Sequence, residues 1–162
     1  GKEQIVRIAK EGDFLGYSSL LTGNRYPVSA SALEECKVCM VPKETIKEIM
    51  KANDRFSDSF INLLCNTIDE SAQKMSNLAY KPVRGRMAEA LLFLNEFYTS
   101  DDNEKGVISI TREDLASFVG TVKETCIRIL KEFKDDNLIE TRKSDIAVLN
   151  KDGLVTISEL YD

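Results

Sequence analysis

The sequence predicts an α+β fold in which helices dominate and the strands are short, and three observations carry that prediction. A run from Asp54 to Tyr80 keeps apolar residues three and four apart, as a long helix requires. A second run, Ile110 to Phe133, holds two helix starts either side of Gly120. Beyond Asn137, two short alternating segments are joined by a tight turn.

The chain opens in a strand pattern, Gln4-Ile-Val-Arg-Ile-Ala-Lys10, and residues 1–53 precede the helical part. That length is too short to close a sheet domain of its own, so these residues are expected to be the C-terminal portion of a longer domain. In the next element Ile61, Leu64, Ile68, Ser71, Met75 and Leu78 trace the seam of a helix pair, although a core helix within one chain would show a similar stripe. Lys81-Pro82 ends that helix and acts as a hinge. Ala88, Leu91, Leu92, Leu94 and Phe97 then make Arg84–Phe97 amphipathic. A turn-rich stretch from Thr99 to Gly106 leads into a small strand, Val107–Ile110.

Thr111 with Asp114, and Thr121 with Glu124, have the spacing of a capping box, in which the hydroxyl accepts an orphan amide and the acid reaches back. Two such boxes around a glycine turn form a helix-turn-helix, with the second helix at about residues 122–134. Cys126, Ile129, Leu130 and Phe133 line one face of that helix; Lys123, Glu124, Ile127, Arg128 and Lys131 occupy the other. Glu124 and Arg128, four apart, would make an ordinary surface ion pair worth about 0.2–0.5 kcal/mol. The same residue types fit the major groove, where arginine chelates guanine O6 and N7, glutamate accepts from cytosine N4 and isoleucine covers a thymine methyl. Leu138–Lys143 and Ile146–Leu149, turning at Ser144-Asp145, read as a two-stranded wing, and Asp152 as the cap of a last short helix.

Composition narrows the function. With 43% hydrophobic and 30% charged residues the chain suits globular packing. No apolar run reaches membrane-spanning length, and no signal peptide is evident, which suits the cytoplasm. The net charge of −5 disfavours a polyanion partner only if basic groups are dispersed. Here Lys123, Arg128, Lys131, Lys134, Arg142 and Lys143 cluster on the second helix and wing. The absence of histidine removes imidazole acid–base catalysis, and the adjacent acids Asp101-Asp102 and Asp135-Asp136 read as solvated, so no enzyme is expected. Of the 4 cysteines, Cys36 and Cys39 would point to opposite faces of a strand, while Cys65 and Cys126 read as packed thiols, so no metal or other cofactor is expected.

Thr111-Arg-Glu-Asp-Leu-Ala116, Val119-Gly120 and Lys123-Glu-Thr-Cys-Ile-Arg-Ile-Leu-Lys-Glu-Phe-Lys-Asp-Asp-Asn-Leu-Ile139 resemble the DNA-binding domain of the CRP/FNR family, named for the cyclic AMP receptor protein and the fumarate-nitrate-reduction regulator. Gly12-Asp-Phe-Leu-Gly-Tyr-Ser-Ser-Leu-Leu21, Asn24–Leu33 and Cys36–Pro42 look like the end of that family's cyclic-nucleotide-type β-roll. The resemblance implies a partial effector-sensing β-roll over residues 1–53, a dimerisation helix over 54–81 and a winged helix-turn-helix over 82–162. It implies a homodimeric transcription regulator that contacts double-stranded DNA and RNA polymerase and answers to a small-molecule or redox effector, with no membrane partner. Glu124 and Arg128 would read a G·C pair of a TGA-like half-site, with Lys123 and Ile127 beside them. Thr111, Arg112 and Thr121 would hold phosphates at helix starts. Ile61, Leu64, Ile68, Met75 and Leu78 would form the dimer seam, and Gly16, Arg25 and Ser71 would be what remains of the effector site. Tyr17 and Pro27 depart from the family's cyclic AMP anchors, so that nucleotide is not the expected effector. The alternative is a ligand-binding regulatory module whose winged helix docks proteins; a broad apolar patch on the second helix would favour it.

Overall fold

Whether the extended segments near the start become strands depends on partners. The computed structural model describes residues 3–99 and 106–160, and within them no strand forms before Ile108. Tyr26, Val28, Val38 and Met40 stand exposed. The strands expected of a partial β-roll are therefore not formed among the described residues of 1–53. An extended segment becomes a strand only when a neighbour supplies a ladder of N–H and C=O groups, and none of these segments does so for another. The turn-rich stretch between Thr99 and Gly106, including Asp101 and Asp102, lies outside the described residues.

The described residues fall into two compact units, Ile8–Ala72 and Gly1–Arg7 with Gln73–Asp162. In the first, Gly16 at φ 76° turns the chain into helix α1, Tyr17–Thr22. Helix α2, Lys43–Ala52, starts at Pro42 and buries Ile46. Alternation alone announces neither helix, although Pro42 followed by Ile46, Ile49 and Met50 carried a helix signal. Helix α3 runs from Asp54 to Tyr80, as its periodicity predicts. Phe60 on α3 packs edge-on to Phe14 and stacked on Phe56. Cys65 is exposed, not packed as its stripe suggested.

The second unit is built on helix α4, Val83–Tyr98, which starts at Pro82 and buries Met87, Ala88, Leu91 and Leu94. Strand β1 (Ile108–Ser109), helix α5 (Arg112–Val119), helix α6 (Lys123–Asp135), strands β2 (Ile139–Arg142) and β3 (Asp145–Val148) and helix α7 (Lys151–Glu159) follow. The sheet is antiparallel in the order β1-β3-β2, with Ile108 opposite Ile146 and Arg142 opposite Asp145. Phe133, Leu115, Ile129, Ile139 and Leu154 close the core over α4. Fully burying side chains of this size contributes about 1.5–3 kcal/mol each, so α6 is held in place by its apolar stripe. The α+β class and the winged helix-turn-helix are both realised.

Local signals were off by one or two residues at three places. The wing turns at Lys143-Ser144, with Lys143 at φ 53°, instead of Ser144-Asp145, because Asp145 pairs with Arg142. Asn150, and not Asp152, caps α7: its Oδ1 accepts from the Gly153 amide at 2.9 Å. Thr121 does not cap α6, whose N-cap is Val122 with no side-chain bond. The Thr121 amide instead donates to Ala116 O, so Thr121 belongs to the C-terminal turn of α5.

Candidate nucleic-acid interface

Thr111 caps α5 as its spacing predicts, its hydroxyl accepting from the Asp114 amide at 3.1 Å and donating to Asp114 Oδ2 at 2.6 Å. Gly120 ends α5 at φ 76°, and a β-carbon there would stand 2.5 Å from Leu78 Cδ2. Glycine is thus required both by backbone conformation and by space. Arg86 of α4 fixes the same turn: Nε donates to Val119 O at 3.0 Å, Nη2 to Gly120 O at 3.0 Å and Nη1 to Lys81 O at 2.8 Å. Burial holds the Arg86 pKa below the ordinary arginine value, partly offset by Glu89.

With its buried stripe turned inward, α6 presents Lys123, Glu124, Ile127, Arg128 and Lys131 outward, all exposed. Ile127 is 49% exposed on this otherwise charged face, and Val122 at the N-cap of α6 is 39% exposed. Lys123 Nζ lies 3.4 Å from Glu113 Oε2 of α5. The ordinary surface ion pair that Glu124 and Arg128 could make, the alternative to base reading, does not form. Arg128 Nη1 instead donates to Glu132 Oε1 at 2.5 Å, and Glu132 Oε2 accepts from Arg84 Nη1 of α4 at 2.7 Å. Among the described residues Glu124 has no side-chain partner, which leaves its carboxylate open at the first turn of α6.

Arg112 does not point out from the start of α5. Its Nη1 donates to Ser144 O and its Nη2 to Lys143 O, both at 2.9 Å, with a longer bond from Nη1 to Ile110 O. The turn at Lys143-Ser144 leaves these two carbonyls without ladder partners, and the planar guanidinium spans them where a phosphate role was expected. Burial lowers the Arg112 pKa, while nearby Cys126 and Asp145 act to raise it. Cys126 is the packed thiol that its stripe predicts; burial pushes it up to about 11.

The remaining expected residues are less gathered. Ile61, Ile68, Met75 and Leu78 are exposed along α3, with Ile68 at 67%, and Leu64 is half-buried. Leu78 also faces the Gly120 turn. Ser71 Oγ donates to Thr67 O of its own helix at 2.7 Å, and Arg25 sits in an exposed extended segment without a partner among the described residues. Gly16 lies tight against Tyr26, whose ring would meet a β-carbon at 2.8 Å. Arg84, Arg86 and Glu132 were missed by sequence reasoning, because the bonds from Arg84 to Glu132 and from Arg86 to Val119 and Gly120 join residues 33 to 48 positions apart in the chain.

Comparison with known proteins places these features. The Crp-like helix-turn-helix domain matches residues 85–157, and the cyclic nucleotide-binding domain matches residues 1–53. The cAMP-activated global transcriptional regulator CRP of Salmonella typhimurium is 29% identical over 150 residues, covering 91% of this chain and 71% of the relative. The fumarate and nitrate reduction regulatory protein of Vibrio cholerae is 25% identical over 160 residues, covering 98% and 64%. A solved CRP/FNR-family transcriptional regulator from Thermus thermophilus is 29% identical with a TM-score of 0.55, covering 61% of this chain and 52% of that one. FixK2 from Bradyrhizobium japonicum, at 15% identity and a TM-score of 0.67, covers 75% and 61% and shares the fold. The chain thus spans about half the length of the Thermus structure that it matches. Two separate domain matches, over residues 1–53 and 85–157, the relatives above and the helix-turn-helix with its wing agree: the chain belongs to the CRP/FNR family.

Proposed function

We propose that this chain acts as a homodimeric, sequence-specific DNA-binding transcription regulator, with α6 entering the major groove. The single observation that carries the reading is the outward face of α6: Lys123, Glu124 and Arg128 exposed around one isoleucine, on a helix locked by a fully apolar inner stripe. Arg128 and Glu124 read base edges, Lys123 and Ile127 flank them, and Thr111 and Thr121 face the phosphate backbone at the two turns. Arg112 contributes by bracing the wing. A protein-docking surface would need a wider apolar patch than Ile127 and Val122 supply.

Dimerisation through α3 fits the unpartnered row of Ile61, Ile68 and Met75 and gives two recognition helices for two half-sites. RNA polymerase is the proposed downstream partner and the cytoplasm the proposed compartment; no described helix is long and apolar enough to cross a membrane. The Salmonella relative is named as cAMP-activated. For this chain we propose another effector. A buried phosphate needs a closely held cation, whereas Arg25 is unanchored among the described residues; on the side of the base, the Ser71 hydroxyl donates to its own helix.

Binding-site selection from random duplex DNA tests the main reading. A two-fold symmetric consensus is expected, and Arg128→Ala should relax selectivity at one position of each half-site, at a cost of about 1–3 kcal/mol. Uniform weakening across all sequences would remove the base-reading role. Calorimetry tests the effector reading: saturable binding of cyclic AMP at micromolar concentration, lost on Arg25→Ala, would overturn it.

A further inference from the structure

The charged groups behind the reading face of α6 form a chain that runs back to α4. Arg84 lies over the ring of buried Phe133, 4.8 Å from its centroid, and each of its two Nη atoms meets a different carboxylate: Glu132 Oε2 at 2.7 Å and Asp136 Oδ2 at 2.9 Å. Packed on a core ring and held by two acids, this guanidinium is a fixed point. It fixes Glu132 in turn, and the other oxygen of Glu132 takes Arg128 Nη1. Arg128 itself is 64% exposed on its side chain, with its remaining N–H groups unengaged among the described residues.

We infer that Glu132, tethered by Arg84, is a positioning residue that sets the selectivity of Arg128 for its base; the inference rests on the proposal that Arg128 reads DNA. An arginine without such a support carries a large rotamer freedom that must be lost on contact with a base. A guanidinium pinned at Nη1 has lost part of it beforehand and keeps the Nε–H and Nη2 edge free to chelate guanine O6 and N7. The direction of the effect is decided by the tether. A mobile carboxylate would follow Arg128 and compete with the base for it, whereas one held from behind by Arg84 stays in place and limits the positions that Arg128 samples. Holding a rotamer-rich side chain in advance is worth about a three- to ten-fold gain, confined to the position it reads.

The near-isosteric Glu132→Gln removes the charge that binds both arginines. It also removes a negative charge near DNA, which raises affinity for every sequence alike; selectivity is therefore read as a ratio of sequences at one position. The full chain is taken through one round of selection on a duplex library with a randomised core, and base frequencies are counted before and after. In Glu132→Gln the preference at the Arg128 position should drop about three- to ten-fold, with the other positions unchanged. Arg84→Met, which cuts the tether from α4 and leaves the Glu132 charge in place, should lower the same ratio without the general rise in affinity. In an Arg128→Ala background, Glu132→Gln should change no ratio. Thermal melts of each variant confirm the folded state during selection. An unchanged or increased preference in Glu132→Gln, while Arg128→Ala abolishes it, would overturn this inference alone. No positional loss in Arg128→Ala would remove the base-reading proposal, and this inference with it.

Discussion

Replacing Arg112 separates two roles for a cation at the start of α5. Its guanidinium gives two 2.9 Å bonds to the carbonyls of Ser144 and Lys143 at the wing turn. Hydrogen bonds from a charged donor are worth about 1.5–3 kcal/mol each when buried. The turn is exposed, so the freed carbonyls would be rehydrated, and the pair together is worth about 1–3 kcal/mol. For a domain of this size that corresponds to a fall in Tm of roughly 5–15 °C in Arg112→Ala. Faster amide exchange should appear first in β2 and β3. Arg112→Lys keeps the charge but offers a point donor in place of a planar fork, so it should lose most of the same stability. The salt dependence of DNA affinity provides the contrast. A direct phosphate contact would lower the slope of log K against log salt by about 0.9 in the alanine variant and spare the lysine variant. An unchanged melt in both variants, together with that drop in slope for alanine alone, would refute the bracing role.

Three further outcomes are expected. Ile68→Glu places a charge in the middle of the exposed row on α3 and should give monomers in sedimentation that bind DNA weakly; an intact dimer would remove the seam. A thiol reagent at pH 8 should modify exposed Cys36, Cys39 and Cys65 in the native protein and reach Cys126 only on unfolding. Burial raises the Cys126 thiol from 9.0 to about 11, so the unfolded chain loses a proton in this window that the folded chain keeps. Its contribution is therefore complete below pH 9 and is lost as pH rises toward 11, and Cys126→Ala should flatten that part of the stability curve.

The elements legible from sequence were those with long periodicity or a complete cap. Helix α3 matches its run of apolar spacings end to end, and the Thr111 box gives the start of α5. Short-range signals proved degenerate. Asn150 and Asp152 are both competent caps, and the bond from the Gly153 amide to Asn150 Oδ1 shows which turn of chain is used. Arg128 had acidic partners at both i−4 and i+4. The usual preference for an acid on the N-terminal side favours Glu124. The structure selects Glu132 because Arg84, 48 residues away, anchors that carboxylate. Strand-like alternation in residues 24–41 had no such arbiter, since a strand exists only with its neighbour.

The helix-turn-helix is positioned by groups that satisfy helix ends. The last carbonyls of a helix have no partners within it and must find donors elsewhere. At the end of α5 they are Val119 O and Gly120 O; just past the end of α3 the corresponding group is Lys81 O. One guanidinium, Arg86, serves all three, so the two helix ends share a donor that neither can lose cheaply. Lys81 adds a second tie, its buried ammonium 2.6 Å from Glu89 Oε1, while Asn77 of α3 donates to the other oxygen at 3.0 Å. Leu78 closes over Gly120 where a β-carbon would not fit. A shift at the end of α3 therefore cannot be absorbed in the hinge at Lys81-Pro82 alone. It must either break charge-assisted bonds or move the turn that carries the first residues of α6, and those residues include Lys123 and Glu124.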